Sequence, residues 1–258
     1  MKIDCEKVAQ NIKDQIKDKV QAGCSRTLVI IKVGDDPASE AYVRGKIEDC
    51  HEVGIEPVLF RFNESVTTDM LISLINQFQP KCHGIIVQLP LPEHIDKNAV
   101  INAIEPENDV DGFRRDSHFI PCTPAGIMQI LPEDLSGKDV LIINRSDIVG
   151  RPLVNLLLDR NATVQIAHSK TKDLETKIKQ SDIIVTAVGK PNFIKQEWLN
   201  ENQTVIDVAI NRGEDGKLCG DLEKVQGEVD FAYTPVPKGI GLLTRAMLLK
   251  NVMGGTEM

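Results

Sequence analysis

Val140-Leu141-Ile142-Ile143-Asn144-Arg145-Ser146-Asp147-Ile148-Val149-Gly150-Arg151-Pro152 runs from a short apolar stretch, through a polar loop, into a segment of helical spacing from Gly150 to Leu158. Four consecutive apolar residues bounded by turn-forming ones read as a strand buried on both faces, as in parallel sheets. A loop that leaves such a strand and opens a helix gathers free backbone N–H groups and the positive end of the helix dipole, a place suited to a phosphate. The usual three-glycine fingerprint is reduced here to Gly150, so the loop alone fits a surface turn with a helix cap equally well.

The pattern repeats downstream. Thr163 to Ala167, Ile183 to Ala187 and Thr204 to Val208 read as strands, and Leu174 to Lys179 as a helix. Upstream, Leu28 to Val33, Val58 to Phe62 and Gly84 to Val87 read as strands. They alternate with an opening helix striped by Val8, Ile12, Ile16 and Val20, a helix carrying Tyr42 and Lys46, and another from Asp69 to Phe78. Ser39 is the expected cap of the second helix and Gly54 its stop. Alternation of this kind predicts an α/β fold with parallel pairing and right-handed crossovers. The segment Leu131 to Lys138 reads as the linker between two such blocks, and Gly241 to Met253 as a closing helix.

Ligands of parallel sheets collect outside the carboxyl ends of the strands. Gly34, Gln88 and the loop Asp109 to Gly112 are expected at that edge of the first block. Tyr42 and Lys46 are spaced i and i+4, which puts both on one side of a helix. Taken singly, each has a plain reading: a packed ring, a solvated amine, an Asx-turn at Asp111 before Gly112, a loop cap at Gln88 before Pro90. In the second block the strand Thr163 to Ala167 is followed by His168-Ser169-Lys170, with no acid to take a ribose diol. Arg145, Ser169 and Lys170 suit an additional phosphate instead, which favours NADP over NAD.

Bulk properties narrow the partners. A chain of 258 residues can bury one large core or two modest ones. A formal charge of -8 argues against a nucleic-acid surface. No run approaches the length of a membrane span, and the amphipathic, acid-containing start lacks a signal-peptide pattern. The six cysteines at 5, 24, 50, 82, 122 and 219 form no CxxC pair, and the five histidines show no HxxxH or HExxH spacing. Reduced thiols and no metal are the expectation. Cys122 has no motif-linked histidine and reads as a buried thiol, not a nucleophile.

Six strings occur in order: Tyr42-Val43-Arg44-Gly45-Lys46, Gln88-Leu89-Pro90-Leu91-Pro92, Asp109-Val110-Asp111-Gly112-Phe113, Pro121-Cys122-Thr123-Pro124, Arg145 to Pro152 and Thr234 to Gly241. From about Asp4 to Met253 the chain resembles the bifunctional methylenetetrahydrofolate dehydrogenase/methenyltetrahydrofolate cyclohydrolase family. The resemblance implies two α/β domains around a cleft: a folate-binding catalytic domain over 1–130, completed by a C-terminal helix over 241–258, and a Rossmann-like NADP-binding domain over 131–240. It implies oxidation of methylenetetrahydrofolate with NADP, then hydrolysis of the methenyl product to formyltetrahydrofolate. It further implies a cytoplasmic homodimer serving one-carbon metabolism and purine biosynthesis.

Carried over position by position, the resemblance makes Lys46, Tyr42, Gln88 and Asp111 the catalytic set. Lys46 handles water and protons in the hydrolysis, Gln88 orients its amine, Tyr42 stacks on the folate rings and Asp111 bonds the pterin edge. Substrate contacts extend to Leu89, Pro90, Pro237 and Gly239. Cofactor contacts fall on Asn144, Arg145, Ser146, Ile148, Val149, Gly150, Ser169, Val188, Gly189, Ala209 and Ile210. The chain departs from the family pattern at Asn144, Ala209 and Lys238, where glycine is usual. Leu242 replaces proline, Leu243 methionine and Asn108 lysine. Asparagine tolerates the left-handed backbone a glycine would permit. Two alternatives stand beside the bifunctional reading: a cyclohydrolase whose altered loops impair cofactor use, and a folate-binding module without turnover.

Overall fold

A computed structural model describes residues 1–254; positions 255–258 of the expected last helix lie outside the described residues. The chain begins with α1 (Cys5–Gln21), which buries Ile12 and Ile16 and leaves Val8 and Val20 half-buried. Strand β1 (Thr27–Val33) leads to α2 (Pro37–Val53), then β2 (Glu56–Phe62), α3 (Thr68–Phe78), β3 (Gly84–Val87) and the short α4 (Lys97–Asn102). After α5 (Cys122–Met128) come β4 (Asp139–Ile143), α6 (Gly150–Leu158), β5 (Thr163–Ala167), α7 (Leu174–Lys179), β6 (Ile183–Thr186) and β7 (Thr204–Asp207). Two-residue strands β8 (Asn211–Arg212), β9 (Leu218–Cys219) and β10 (Ala232–Tyr233) precede α8 (Ile240–Val252).

Two all-parallel sheets form, in the orders β2-β1-β3 and β10-β7-β6-β4-β5, with β8 and β9 pairing separately as an antiparallel ribbon. The apolar runs of β1, β3, β4 and β6 are almost wholly buried, as strands covered on both faces must be. Lys32 is the exception within β1. Its buried ammonium donates to Gly34 O and lies 3.3 Å from Glu40, a carboxylate also held by Arg61.

The chain divides into two compact units: Met1–Ala9 with Thr123–Thr244, and Gln10–Cys122 with the segment from Arg245. The first contains the five-stranded sheet and the second the three-stranded sheet. Residues 1–9 join the five-stranded unit because Lys2 bridges Tyr233 and Tyr233 N donates to Met1 O at 2.9 Å. Residues 123–130 join it through Arg160, whose Nη1 donates to Met128 O, Leu131 O and Pro132 O at 2.9, 3.1 and 3.0 Å.

Two local expectations are corrected. The cap of α2 is Asp36, not Ser39: the Asp36 carboxylate accepts from Ser39 N at 2.7 Å, and Pro37 occupies the first turn, where its missing N–H costs nothing. Gly54 does end the helix, in the left-handed conformation at φ 83°. The loop Asp109 to Gly112 does not leave a strand end. It follows helical turns after α4 and lies beside β3, where Ile85 N donates to Asn108 O at 2.9 Å.

Candidate active site

In the three-stranded unit, helix α2 turns Tyr42 and Lys46 to one side. The Lys46 side chain is only 12% exposed, and its Nζ stands 4.0 Å from Asp111 Oδ2, whose side chain is 11% exposed. Neither side chain makes a hydrogen bond among the described residues. A nearly buried ammonium and carboxylate this loosely paired have donors and acceptors left over, which buried charges seldom keep. Tyr42 is 38% exposed. Partial burial raises the pKa of its hydroxyl, opposed by the nearby Arg245 cation.

Gln88 follows β3 directly and extends it, its N donating to Ile31 O at 2.8 Å. Its Nε2 donates to Leu89 O at 2.8 Å, while Oε1 is buried with no partner. Gln88 makes no hydrogen bond to Lys46. The Leu89–Pro90 peptide after it is cis.

Long-range contacts fix the backbone on either side of Asp111. Asn108, standing where the family usually has lysine, is buried; its Nδ2 donates to Cys82 O at 3.2 Å. Val110 O accepts from Asn251 Nδ2 at 2.9 Å and from Cys122 Sγ at 3.2 Å. Burial holds the Cys122 thiol well above its usual range, so this cysteine is a structural donor. Gly112 has φ 71°, and a Cβ there would stand 2.7 Å from Pro121 N. Burial also lifts the Asp109 carboxyl to about 6, against the pull of the Arg114 and Phe113 backbone N–H groups. Asn251 carried no sequence signal.

In the five-stranded unit the expected cofactor residues line up along the carboxyl edge of the sheet, after β4, β5, β6 and β7. The strand order reverses between β4 and β6, the switch point at which such sheets bind ligands. Asn144 follows β4 and is not left-handed. Its Nδ2 spans the switch point to Ala187 O at 2.6 Å, and its Oδ1 accepts from Ser146 N at 2.8 Å and Gly150 N at 3.1 Å. The side chain therefore caps α6, which explains how the loop closes without a glycine at 144. Gly150 is required there, since a Cβ would stand 2.3 Å from Asn144 O. Val149 N donates to Ser146 Oγ. Ile148 and Ile210 are exposed apolar side chains on the loops after β4 and β7, and Ala209 is buried beside Ile210. Arg145 and Ser169 are exposed.

A carboxylate absent from the sequence-derived set holds these loops. Asp221 is fully buried and accepts from Thr186 Oγ1 at 2.8 Å, Val188 N at 2.6 Å, Lys190 N at 2.8 Å and Asn211 Nδ2 at 3.2 Å. It thus ties the Val188-Gly189-Lys190 turn after β6 to Asn211 beyond β7. Asp207 at the end of β7 accepts from Leu222 N at 2.7 Å and Asp221 N at 3.1 Å, and burial, with Asp221 beside it, raises its carboxyl to about 7. Pro237 and Gly239 also belong to this unit. Lys238 between them adopts φ 75° and pairs with Glu6 at 3.0 Å. Gly239 has no room for a side chain, because a Cβ would stand 2.1 Å from Pro235 O.

A doubly wound, Rossmann-like sheet with its loops at the switch point, and a second parallel α/β unit bearing a loosely paired Lys46–Asp111 couple and an unpartnered Gln88 amide oxygen, define a two-unit α/β protein of the dinucleotide-binding class. The chain belongs to the tetrahydrofolate dehydrogenase/cyclohydrolase family: residues 3–111 match its catalytic domain and residues 121–258 its NAD(P)-binding domain. The bifunctional protein FolD of Campylobacter concisus is 44% identical over 262 residues, spanning 96% of this chain and 93% of that protein. The crystal structure of the bifunctional FolD enzyme from Campylobacter jejuni shares 40% identity, with a TM-score of 0.91 over 97% of this chain and 96% of the other. The Trypanosoma brucei enzyme, solved with NADP cofactor and an inhibitor, shares 32% identity and a TM-score of 0.90 over 98% and 95% of the two chains.

Proposed function

We propose that this chain is an NADP-dependent methylenetetrahydrofolate dehydrogenase that also hydrolyses methenyltetrahydrofolate to formyltetrahydrofolate. The observation that carries the reading is the nearly buried, loosely paired ammonium and carboxylate of Lys46 and Asp111, 4.0 Å apart; the buried Gln88 amide oxygen of the same unit is likewise left without a partner. A pterin offers an amine and amide edge to a carboxylate such as Asp111. Tyr42 has an exposed ring face for an arene, and Leu89 and Pro90 supply apolar contact next to Gln88.

The first reaction asks little of acid/base groups, because the folate nitrogen expels hydride as the amidine cation forms; the protein's work is alignment. NADP supplies the hydride acceptor. Arg145 and Ser169 would take its extra phosphate, Ser146, Ile148, Val149 and Gly150 the pyrophosphate side, and Val188, Gly189, Ala209 and Ile210 the nicotinamide half. The loops fit such a ligand, with exposed Ile148 and Ile210 on the loops after β4 and β7 and no acid in the His168-Ser169-Lys170 stretch after β5.

In the second reaction water adds to the amidinium carbon and a carbon–nitrogen bond opens. Lys46 manages the proton, taking it from water as a neutral amine or returning it as an ammonium to the departing nitrogen. The unpartnered Gln88 Oε1 is an acceptor for that amine or for the water. The protein works in the cytoplasm as a homodimer on tetrahydrofolate one-carbon derivatives, supplying purine biosynthesis.

The test is NADP reduction by the purified protein on adding methylenetetrahydrofolate, with NAD in parallel, followed by the decay of methenyltetrahydrofolate absorbance. Turnover with NADP and accelerated decay are expected. A preference for NAD overturns the reading of Arg145 and Ser169, and decay without reduction leaves a cyclohydrolase alone.

A further inference from the structure

Four residues of α2 share one face at spacings i, i+3, i+4 and i+7: Tyr42, Gly45, Lys46 and Asp49. Gly45 is the break in that face, and Arg245 of α8 fills it. A Cβ on residue 45 would stand 1.7 Å from Arg245 Nη1, so the guanidinium lies against the bare helix backbone in the seat a side chain would take. Its Nε is fixed by Asp49 Oδ2 at 2.9 Å, and Asp49 Oδ1 is in turn 3.2 Å from Lys13 Nζ. Asp49 thus anchors Arg245 and Lys13 together, and Lys13 is also held by Glu52 at 2.6 Å.

Only the inner edge of the guanidinium is used. Among the described residues neither Nη has a hydrogen-bond acceptor, and the side chain keeps 23% exposure. Gln88 Oε1 is the only buried side-chain polar atom without a partner among them, so the Nη groups still reach solvent or a ligand. Two parallel N–H groups held in a fixed plane match a carboxylate, and a guanidinium is suited to that bidentate contact.

The order of groups along the site says which carboxylate. Asp111 stands 4.0 Å from Lys46, and the seat of Arg245 at Gly45 lies three residues from Tyr42 on the same helix face. The site therefore runs from Asp111 against Lys46 to Tyr42 beside Arg245. A folate has the same linear order: a pterin with donors for Asp111, the reacting bridge for Lys46, an arene for Tyr42, and then the glutamate, which bears its only carboxylates.

We infer that Arg245 receives a carboxylate of the folate's glutamate tail and sets this chain's preference for glutamate-bearing folates. The inference rests on the folate reading of the Tyr42–Lys46 face. Gly45 and Asp49 are positioning residues that seat and orient the guanidinium.

The experiment compares the whole protein with Arg245→Leu, Arg245→Lys and the double variant Arg245→Leu/Asp49→Asn, which leaves no unpaired carboxylate and guards against misfolding of the single change. Each is assayed with methylenetetrahydrofolate and with methylenetetrahydropteroate, which lacks glutamate, and the dissociation constants of tetrahydrofolate and tetrahydropteroate are measured by calorimetry. The expected result is a rise in folate KM and Kd of about 10-fold in both leucine variants, with kcat and NADP KM little changed and lysine recovering part of the loss. With the pteroate forms, wild type and variants should be alike. An equal rise for the pteroate, or no rise for the folate, overturns the inference. Absence of wild-type turnover would strike the functional reading alone, since the calorimetric comparison still decides the role of Arg245.

Discussion

Replacing Asp221 by asparagine tests whether the cofactor loops are held in place by one buried carboxylate. Asp221 receives four donors, two on each oxygen, and its own side chain is fully buried. An asparagine keeps one oxygen and turns an NH2 group toward two of those donors, so two charge-assisted bonds are lost, about 1.5–3 kcal/mol each. Burying an amide costs less than burying a carboxylate, which returns part of the loss and leaves roughly 2–4 kcal/mol. That corresponds to a fall in Tm of about 4–16 °C for a unit of this size. The turn Val188-Gly189-Lys190 loses its anchor, and if its binding-competent form falls to about a tenth, NADP affinity falls about 10-fold. Calorimetric Kd for NADP, KM for both substrates and the rate of methenyltetrahydrofolate hydrolysis read the outcome. Weaker NADP binding with hydrolysis kept within about 2-fold supports the clamp. A lowered Tm with unchanged NADP affinity, or equal loss of hydrolysis, refutes it.

Three further expectations follow from the same geometry. Lys46→Ala should slow methenyltetrahydrofolate hydrolysis by about 100-fold or more and hydride transfer far less; parallel loss of both rates would sink the division of labour. Gly112→Ala should destabilise the three-stranded unit by more than about 2 kcal/mol, from left-handed strain and a Cβ pressed on the Pro121 backbone, and should raise the folate KM through Asp111; an unchanged Tm contradicts this. Burial raises the folded-state pKa of Asp109 to about 6 and that of Asp207 to about 7, from the usual 3.8. Between those values the folded chain retains protons the unfolded chain has released, so this stability is present below about pH 4 and is lost as pH climbs through 6 to 7. Asp109→Asn should flatten the measured dependence of unfolding free energy on pH over pH 4–6, and an unaltered slope would refute the assignment.

The alternation of strands and helices was legible because it is local. Apolar runs such as Leu28 to Val33 and Ile183 to Thr186 need no distant information to be recognised as buried strands, and the helices Gly150–Leu158 and Leu174–Lys179 start and stop on nearby turn and cap residues. The spacing of Tyr42 and Lys46 likewise predicted a shared helix face, and the order of the short motifs indicated the family. Helix α5 was not legible, since Thr123, Pro124 and Gly126 carry poor helical propensity and only packing holds it. Nor was the choice of Asp36 over Ser39 as cap, because both are good N-cap residues and the position of Pro37 in the first turn decided between them. The contacts that shape the sites lie further apart still: Asn251 on Val110, Asp221 on Val188, Arg245 in the seat left by Gly45. Each joins residues tens to hundreds of positions distant. Hydrophobic period and turn chemistry specify elements from neighbouring residues, whereas the partners of a buried polar group are chosen by where the folded chain brings donors and acceptors together.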